Sequence, residues 1–195
     1  MTTVNDVLDF WFAPESRPEP RHPGGRDLPA WFTADPAFDE AIRRRFLDAY
    51  ETAARGGLDR WAETPEGALA LTVLLDQFPR NMFRGQARAF AADSRALSVA
   101  EQAVAKGFDA QVPKAWRKFF YLPFEHAEDS AAQARSVALF LALGEEQGLR
   151  YAVLHRDIIE RFGRFPHRNA ILGRRSTPEE QAWLDWGGET FGTKA

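Results

Sequence analysis

The chain has 195 residues, of which 45% are hydrophobic and 13% aromatic, and its formal net charge is −3. This apolar content is enough to build a folded core and predicts one domain over residues 1–195. Because there is no cysteine, disulfides, thiolate metal sites and cysteine nucleophiles are excluded, and the charge offers no global attraction to nucleic acid.

The first residues contain no basic stretch followed by an apolar one, which is the pattern of a secretory signal peptide. The apolar runs of the chain also fall far short of the roughly 20 residues that span a bilayer. We therefore expect a cytoplasmic protein with neither a membrane nor a nucleic-acid partner.

In chain order, apolar side chains recur at helical spacing in eight segments, and no stretch alternates in the way that predicts a strand. The predicted helices cover approximately residues 4–11, 36–50, 65–78, 93–106, 113–121, 130–143, 149–162 and 178–186. Asp93 or Ser94 is expected to cap the fourth helix, and Pro79 and Pro123 are each expected to interrupt the helical chain. The pattern predicts an all-α fold of antiparallel helix pairs.

Residues 13–29 stand apart, because they contain five prolines and the adjacent glycines Gly24 and Gly25. Such a segment cannot form a helix, so we predict a loop insertion. Two interpretations stay open: a tolerated surface insertion and a functional lid.

Asp76 is the first candidate for chemistry. It lies in a predicted helix that is apolar nearly all round, and such a helix is buried. A buried carboxylate needs hydrogen-bond donors or cations. Asp76 therefore either holds the following loop in place or belongs to a ligand site.

Arginines mark two similar turns, F-P-R-N at residues 78–81 and F-P-H-R-N at residues 165–169. The first turn contains Arg80 and Asn81, and the second contains Arg168 and Asn169. Arginine pairs with carboxylate or phosphate through two parallel hydrogen bonds, so these turns are candidates for holding an anion. A genome rich in arginine codons would produce the same composition.

Histidines provide the candidates for proton transfer. The predicted helix 149–162 places His155 on its apolar face, where a hydrogen-bonded core histidine is the competing interpretation. His126 lies among carboxylates in E-H-A-E-D at residues 125–129. That segment suits a metal half-site, a general-base arrangement or an acidic partner for the arginine-rich residues 150–175. An acidic partner for the arginine-rich residues is the simplest of these explanations. We expect neither a metal nor a cofactor.

Four motifs together resemble a known family: D-Q-F-P-R-N-M-F-R-G (76–85), F-Y-L-P-F-E-H-A-E-D (120–129), H-R-D-I-I-E-R-F-G-R-F-P-H-R-N-A-I-L-G-R (155–174) and S-T-P-E-E (176–180). In this order they resemble the bacterial domain-of-unknown-function family nine-two-four, over nearly the whole chain. The resemblance implies an all-helical fold of about eight to ten helices similar to tetratricopeptide repeats. It implies no established activity.

We hypothesise that the motifs form one polar pocket for a small anionic ligand, a phosphate or a carboxylate. This hypothesis includes acid–base catalysis by His155 or His126. The predicted ligand-binding residues are Asp76, Arg80, Asn81, Arg84, Glu125, Asp129, Arg164, His167, Arg168 and Asn169. The alternative is a non-enzymatic adaptor whose helical groove binds an acidic peptide or protein with the same arginines.

Overall fold

The computed structural model of the protein describes residues 1–12, 31 and 33–192. These ranges form eight helices and no strand, so the all-α prediction is confirmed for them. The helices are α1 (Val4–Trp11), α2 (Pro36–Ala54), α3 (Pro65–Thr72, Val73–Gln77 and Phe78–Met82 in succession), α4 (Asp93–Ala105), α5 (Lys118–Glu125), α6 (Ser130–Leu143), α7 (Glu146–Phe162) and α8 (Pro178–Asp185). The tetratricopeptide-like arrangement stays a prediction, and the predicted insertion at 13–29 lies outside the described residues.

Local capping explains where the first two helices begin. Thr3 accepts a hydrogen bond from the backbone of Asp6, and the Asp6 carboxylate accepts one from the Thr3 backbone, which is a complete capping box. Asp35 accepts bonds from the first backbone amides of α2, and Pro36 occupies the first helical turn. Both starts agree with the sequence prediction because they depend only on neighbouring residues.

Pro79 does not end α3, and that expectation is wrong. The helix widens into a π turn over Val73–Gln77, closed by the bond from the Phe78 amide to the Val73 carbonyl, and then continues to Met82. A proline lacks the N–H for the usual bond and crowds the preceding turn. The wider turn accommodates it, and turns of this kind are frequent at functional sites.

Pro123 does not break the chain either, because it lies inside α5. A proline at this position removes one backbone bond from a short helix, and the surrounding residues of α5 are all buried. The helix therefore reaches Glu125 and places His126 at its C-terminal cap.

The core is centred on α3, where every residue from 67 to 79 is buried. The rings of Trp11, Phe46 and Phe119 pack around this helix, and both Trp11 and Phe46 contact Phe78. A second, smaller apolar cluster joins α7 to the turn at Pro166–Arg168 and to α8. This packing brings the ends of α3, α5 and α7 into one neighbourhood. Among the helices of the described ranges, none combines the length and the apolar character needed to cross a membrane.

Candidate functional site

Asp76 lies in the π turn of α3 and is completely buried. Its Oδ1 atom is 2.8 Å from His126 Nδ1 and 3.2 Å from Arg80 Nη1. Burial alone would raise the pKa of the Asp76 carboxyl, but the positive charge of Arg80 and the contacts with His126 hold that pKa well below its usual range. Asp76 is therefore ionised at neutral pH.

His126 forms a carboxylate–imidazole pair with Asp76. Burial, and then the charge of Arg80, lowers the pKa of His126 against the opposing effect of Asp76. A neutral imidazole beside an ionised carboxylate carries its proton on Nδ1 and donates it to that carboxylate. The Nε2 atom of His126 is then an acceptor with a fixed orientation, which is the arrangement of a general base.

Asp93 joins the two F-P turns of the sequence. Arg80 donates to both of its carboxylate oxygens at 2.9 Å, and Arg168 donates to one of them at 3.3 Å. The prediction that Asp93 or Ser94 caps α4 is wrong, because the cap is Ala92 and no side chain in the described part of the chain caps that helix. The carboxylate pairs with arginines instead.

Arg168 is buried between two aromatic rings. Its guanidinium carbon is 4.6 Å from the centre of the Phe90 ring and 4.4 Å from that of Phe165. Burial, and then repulsion from Arg80, lowers the pKa of Arg168 to about 10. Its Nε atom has no hydrogen-bond partner among the described residues. The charge of Arg168 is thus only partly compensated by the Asp93 carboxylate that it shares with Arg80.

Glu125 and His155 form a second buried contact, with Glu125 Oε1 3.3 Å from His155 Nδ1. Burial, and then the charges of Asp76 and Glu145, raises the pKa of Glu125 to about 8, so this carboxyl is protonated at neutral pH. Its Oε2 atom is buried and meets no partner in the part of the chain that the structure covers.

The imidazole of His155 is neutral as well. Its Nδ1 lies 2.9 Å from the Tyr151 carbonyl oxygen, so this nitrogen carries the proton and donates it. Burial, and then the neighbouring His126, lowers the pKa of His155 well below its usual value.

His167 completes the cluster from the second F-P turn. Burial, and then the charge of Arg168, lowers the pKa of His167 to about 3. Its Nδ1 atom is buried without a partner within the described ranges. The Phe191 ring lies against both imidazoles: it stacks on His155 at 3.6 Å between ring centres and meets His167 at 5.6 Å.

The structure therefore brings part of the predicted site together. We call these residues, with the unpredicted Asp93, the central cluster: Asp76, Arg80, Asp93, Glu125, His126, His155, His167 and Arg168. Asp76, Glu125 and His155 are almost completely buried, whereas Arg80 and His126 each keep about a sixth of the side chain exposed (19% and 15%). The accessible edge of the cluster lies on their side.

Asn81 and Arg84 lie apart from the central cluster. Both donate to the carboxylate of Asp39 in α2, Asn81 at 2.8 Å and Arg84 at 2.5 Å and 3.0 Å. These contacts attach the end of α3 to α2.

Arg164 and Asn169 also lie elsewhere, because both donate to Glu180 at the start of α8. Glu180 accepts a fourth bond from the Thr177 amide, so it connects the second F-P turn to this helix. Asp129 is exposed, and its carboxylate caps α6 by accepting from the Ala132 amide.

The acidic segment at residues 125–129 has three roles, one of which is the capping of α6 by Asp129. Glu125 and His126 enter the central cluster, whereas Glu128 forms a bidentate pair with Arg174 at 2.6 Å and 2.9 Å. The expectation that this segment pairs with the arginine-rich region is confirmed for Glu128.

The contacts of three residues, Asp93, Glu180 and Phe191, were not predicted from the sequence. Asp93 and Glu180 each stand at a helix start, so local patterns assign them to capping. Glu180 does complete a capping box with Thr177, but it also binds Arg164 and Asn169. Phe191 lies beyond the last helix and carries no local signal.

Comparisons with known proteins agree with this fold. The family model described as "Bacterial protein of unknown function (DUF924)" matches residues 7–188. A solved structure of the protein of unknown function ATU0120 from Agrobacterium tumefaciens is 48% identical, with a TM-score of 0.83. The match covers 94% of this chain and 97% of that one. No curated protein matches.

Proposed function

Since the chain belongs to the DUF924 family of bacterial proteins of unknown function, we propose its function from the central cluster itself: it binds a small phosphate- or carboxylate-bearing ligand and transfers protons to and from it. The observation that carries the proposal is the partly compensated Arg168. Its Nε atom is buried and finds no partner among the described residues, while Arg80 holds both oxygens of the carboxylate that the two share.

A buried guanidinium with an unused N–H is costly unless an anion completes its hydrogen bonds. Glu125 Oε2 and His167 Nδ1 are further buried atoms without a partner in the described structure, and both belong to the same cluster. Buried polar groups are normally satisfied, so a concentration of exceptions favours a ligand site. Burial, and then repulsion from Arg80, lowers the pKa of Arg168, and the nearby carboxylates offset this only in part.

The proton-transfer part of the proposal rests on a base that is free to accept a proton, His126, and an acid that holds one, Glu125. Asp76 orients His126 as a neutral base and would stabilise the imidazolium that forms when Nε2 accepts a proton. Glu125, with a pKa of about 8, holds a proton at neutral pH and acts as the acid. Pairs of titratable groups whose environments push their pKa values apart are typical of acid–base sites.

A small ligand fits these residues better than the acidic peptide of the alternative hypothesis. An acidic peptide would need exposed cationic side chains whose N–H groups are not already hydrogen-bonded within the protein. The exposed Arg84 and Arg161 instead bind Asp39 and Glu179 through their guanidinium groups. The undercompensated charge lies inside the protein, at Arg168.

The test is a thermal-unfolding titration with phosphate and with acetate at constant ionic strength. A ligand that binds only the folded protein stabilises it by mass action, by about 2.7 kcal/mol at a hundred times its Kd. We expect both anions to raise the Tm of the wild type, and the increase to disappear in Arg168→Met.

The matched control is Arg88→Met, which removes a surface arginine paired with Glu51. It should respond to both anions as the wild type does. Equal responses of all three proteins would indicate general salt exclusion and would overturn the proposal.

A further inference from the structure

Phe191 lies in a compartment made of three rings. It stacks on His155 at 3.6 Å with an interplanar angle of 14°, and it meets His167 and Phe165 edge-on at 5.6 Å and 6.5 Å. Because both imidazoles are neutral, they present aromatic faces and edges and not charges. The compartment therefore accommodates one planar six-membered ring, stacked on His155.

The backbone that holds this ring is strained. Phe191 has a φ of 50° and is the only non-glycine residue with positive φ in the described ranges. It follows α8 in a segment without helix, next to Gly192 at a φ of 75°. Among the described residues, the Phe191 amide donates to the nearby Glu189 side chain, at 2.8 Å. The ring contacts, and not a helix or a backbone ladder, thus fix Phe191 in place, so a competing ring can displace it.

The compartment is bordered by the polar groups that a phenylalanine ring cannot satisfy. The Nδ1 atom of His155 lies 3.3 Å from Glu125 Oε1. The guanidinium carbon of Arg168 lies over the Phe165 ring, 4.4 Å from its centre. The unpartnered His167 Nδ1 belongs to a ring that Phe191 touches. A ring that carried an anionic substituent would use the same apolar contacts and also supply the missing acceptor for Arg168.

We propose that the ligand of the central cluster is an aromatic acid, a planar ring bearing a carboxylate or phosphate, and that the side chain of Phe191 occupies the place of that ring in this structure. This inference rests on the proposed function, because the anionic substituent is the group that Arg168 would bind. Phe191 then acts as an intramolecular competitor, and the apparent affinity for the ligand is reduced by the fraction of molecules in which the compartment is filled.

The experiment is isothermal titration calorimetry of the wild type and Phe191→Gly with three carboxylates: benzoate, cyclohexanecarboxylate and acetate. Glycine removes the ring and tolerates the positive φ, so the variant is not strained. We expect benzoate to bind Phe191→Gly at least about tenfold more tightly than the wild type. Acetate should bind both proteins equally, and cyclohexanecarboxylate, which is not planar, should gain less than benzoate.

A second variant and a second readout keep the test independent of folding effects. Phe191→Trp keeps a ring in the compartment and should bind benzoate no better than the wild type does. In Phe191→Gly, benzoate should shift the ring resonances of His155 in NMR spectra, because the two rings would stack.

Two results would overturn the inference in different ways. If acetate binds but benzoate gains nothing from Phe191→Gly, the compartment does not take the ligand's ring, and the proposed function stands without it. If none of the three carboxylates binds either protein, the inference fails, and if phosphate also leaves the Tm of the wild type unchanged, the proposed function fails with it.

Discussion

Arg168 donates a hydrogen bond to Asp93 at 3.3 Å, although 75 residues separate the two in sequence. Arg80 already donates to both oxygens of that carboxylate and also lies 3.2 Å from Asp76 Oδ1, whereas Asp93 is the one carboxylate that pairs with Arg168 among the described residues. Two like charges in a buried site repel strongly unless anions lie between them. Burial and the neighbouring Arg80 both disfavour the charge of Arg168, and charges perturbed in this way cluster at functional sites.

The first prediction concerns the two arginines that bind Asp93. Arg168→Met should leave the free energy of unfolding unchanged or raise it by up to about 2 kcal/mol, because an apolar side chain suits the space between Phe90 and Phe165. Arg80→Met should lower it by about 3–5 kcal/mol, because Asp76 and Asp93 would both lose their main cation. Urea denaturation measures both. A large loss in Arg168→Met would make Arg168 a structural residue.

The second prediction concerns Asp76. Asp76→Ala should destabilise the protein by about 2–4 kcal/mol, because buried His126 would lose its acceptor and Arg80 would lose one of its two carboxylate partners. Asp129→Ala is the control, since it removes only a helix cap and should cost about 1 kcal/mol. Equal losses in the two variants, measured by urea denaturation, would contradict the central role of Asp76.

The third prediction is a pH dependence set by Glu125. Its pKa is about 8 in the folded protein, against an ordinary value of 4.5, so the folded state binds an extra proton between these values. Stability must therefore fall as pH rises through this window, by up to about 1.4 kcal/mol per pH unit. Glu125→Gln mimics the protonated acid and removes the effect.

The measurement for Glu125 is the difference in unfolding free energy between Glu125→Gln and the wild type at several pH values. The difference should be small near pH 5 and should grow in favour of the variant toward pH 8. Parallel pH profiles of the two proteins would show that the Glu125 carboxyl ionises normally.

The fourth prediction concerns the histidines. The pKa values of His126, His155 and His167 are all lowered, that of His167 to about 3. The unfolded chain takes up these protons near the ordinary value of 6.5, so this contribution to stability is present above pH 6.5 and is lost as pH falls toward 3.

Long-range proton–nitrogen NMR of the folded protein checks the histidine states directly, with assignments from single His→Gln variants. At pH 7 we expect the three rings to be neutral and His126 to carry its proton on Nδ1. Asp76→Asn should lower the pKa of His126 further, because Asp76 raises it more than Asp93 does. Protonation of the His126 ring at pH 7 would exclude the proposed base.

Local interactions made several features predictable. The Thr3–Asp6 capping box and the Asp35 cap lie within a few residues of the helices that they start, so sequence spacing alone reveals them. The burial of Asp76 followed from the apolar character of its own helix, and the structure places it at 0% exposure. Helical periodicity likewise determined the fold class.

Prolines were harder to predict because their effect depends on what surrounds them. Pro79 and Pro123 each remove one backbone hydrogen bond, which usually ends a helix. In α3 the π turn at Val73–Gln77 absorbs the disruption, and in α5 the buried surroundings hold the helix together. The outcome was decided by packing, which sequence spacing does not describe.

What the sequence determined by itself is therefore the all-α class, the starts of α1 and α2 and the burial of Asp76, since each depends on neighbours along the chain. Only the tertiary structure decided which charges meet. Asp93 suited a helix cap as well as an ion pair, and it became the shared partner of Arg80 and Arg168 because the fold brings the two F-P turns together. A carboxylate pairs with whichever cation lies within reach, and that distance is a property of the whole fold.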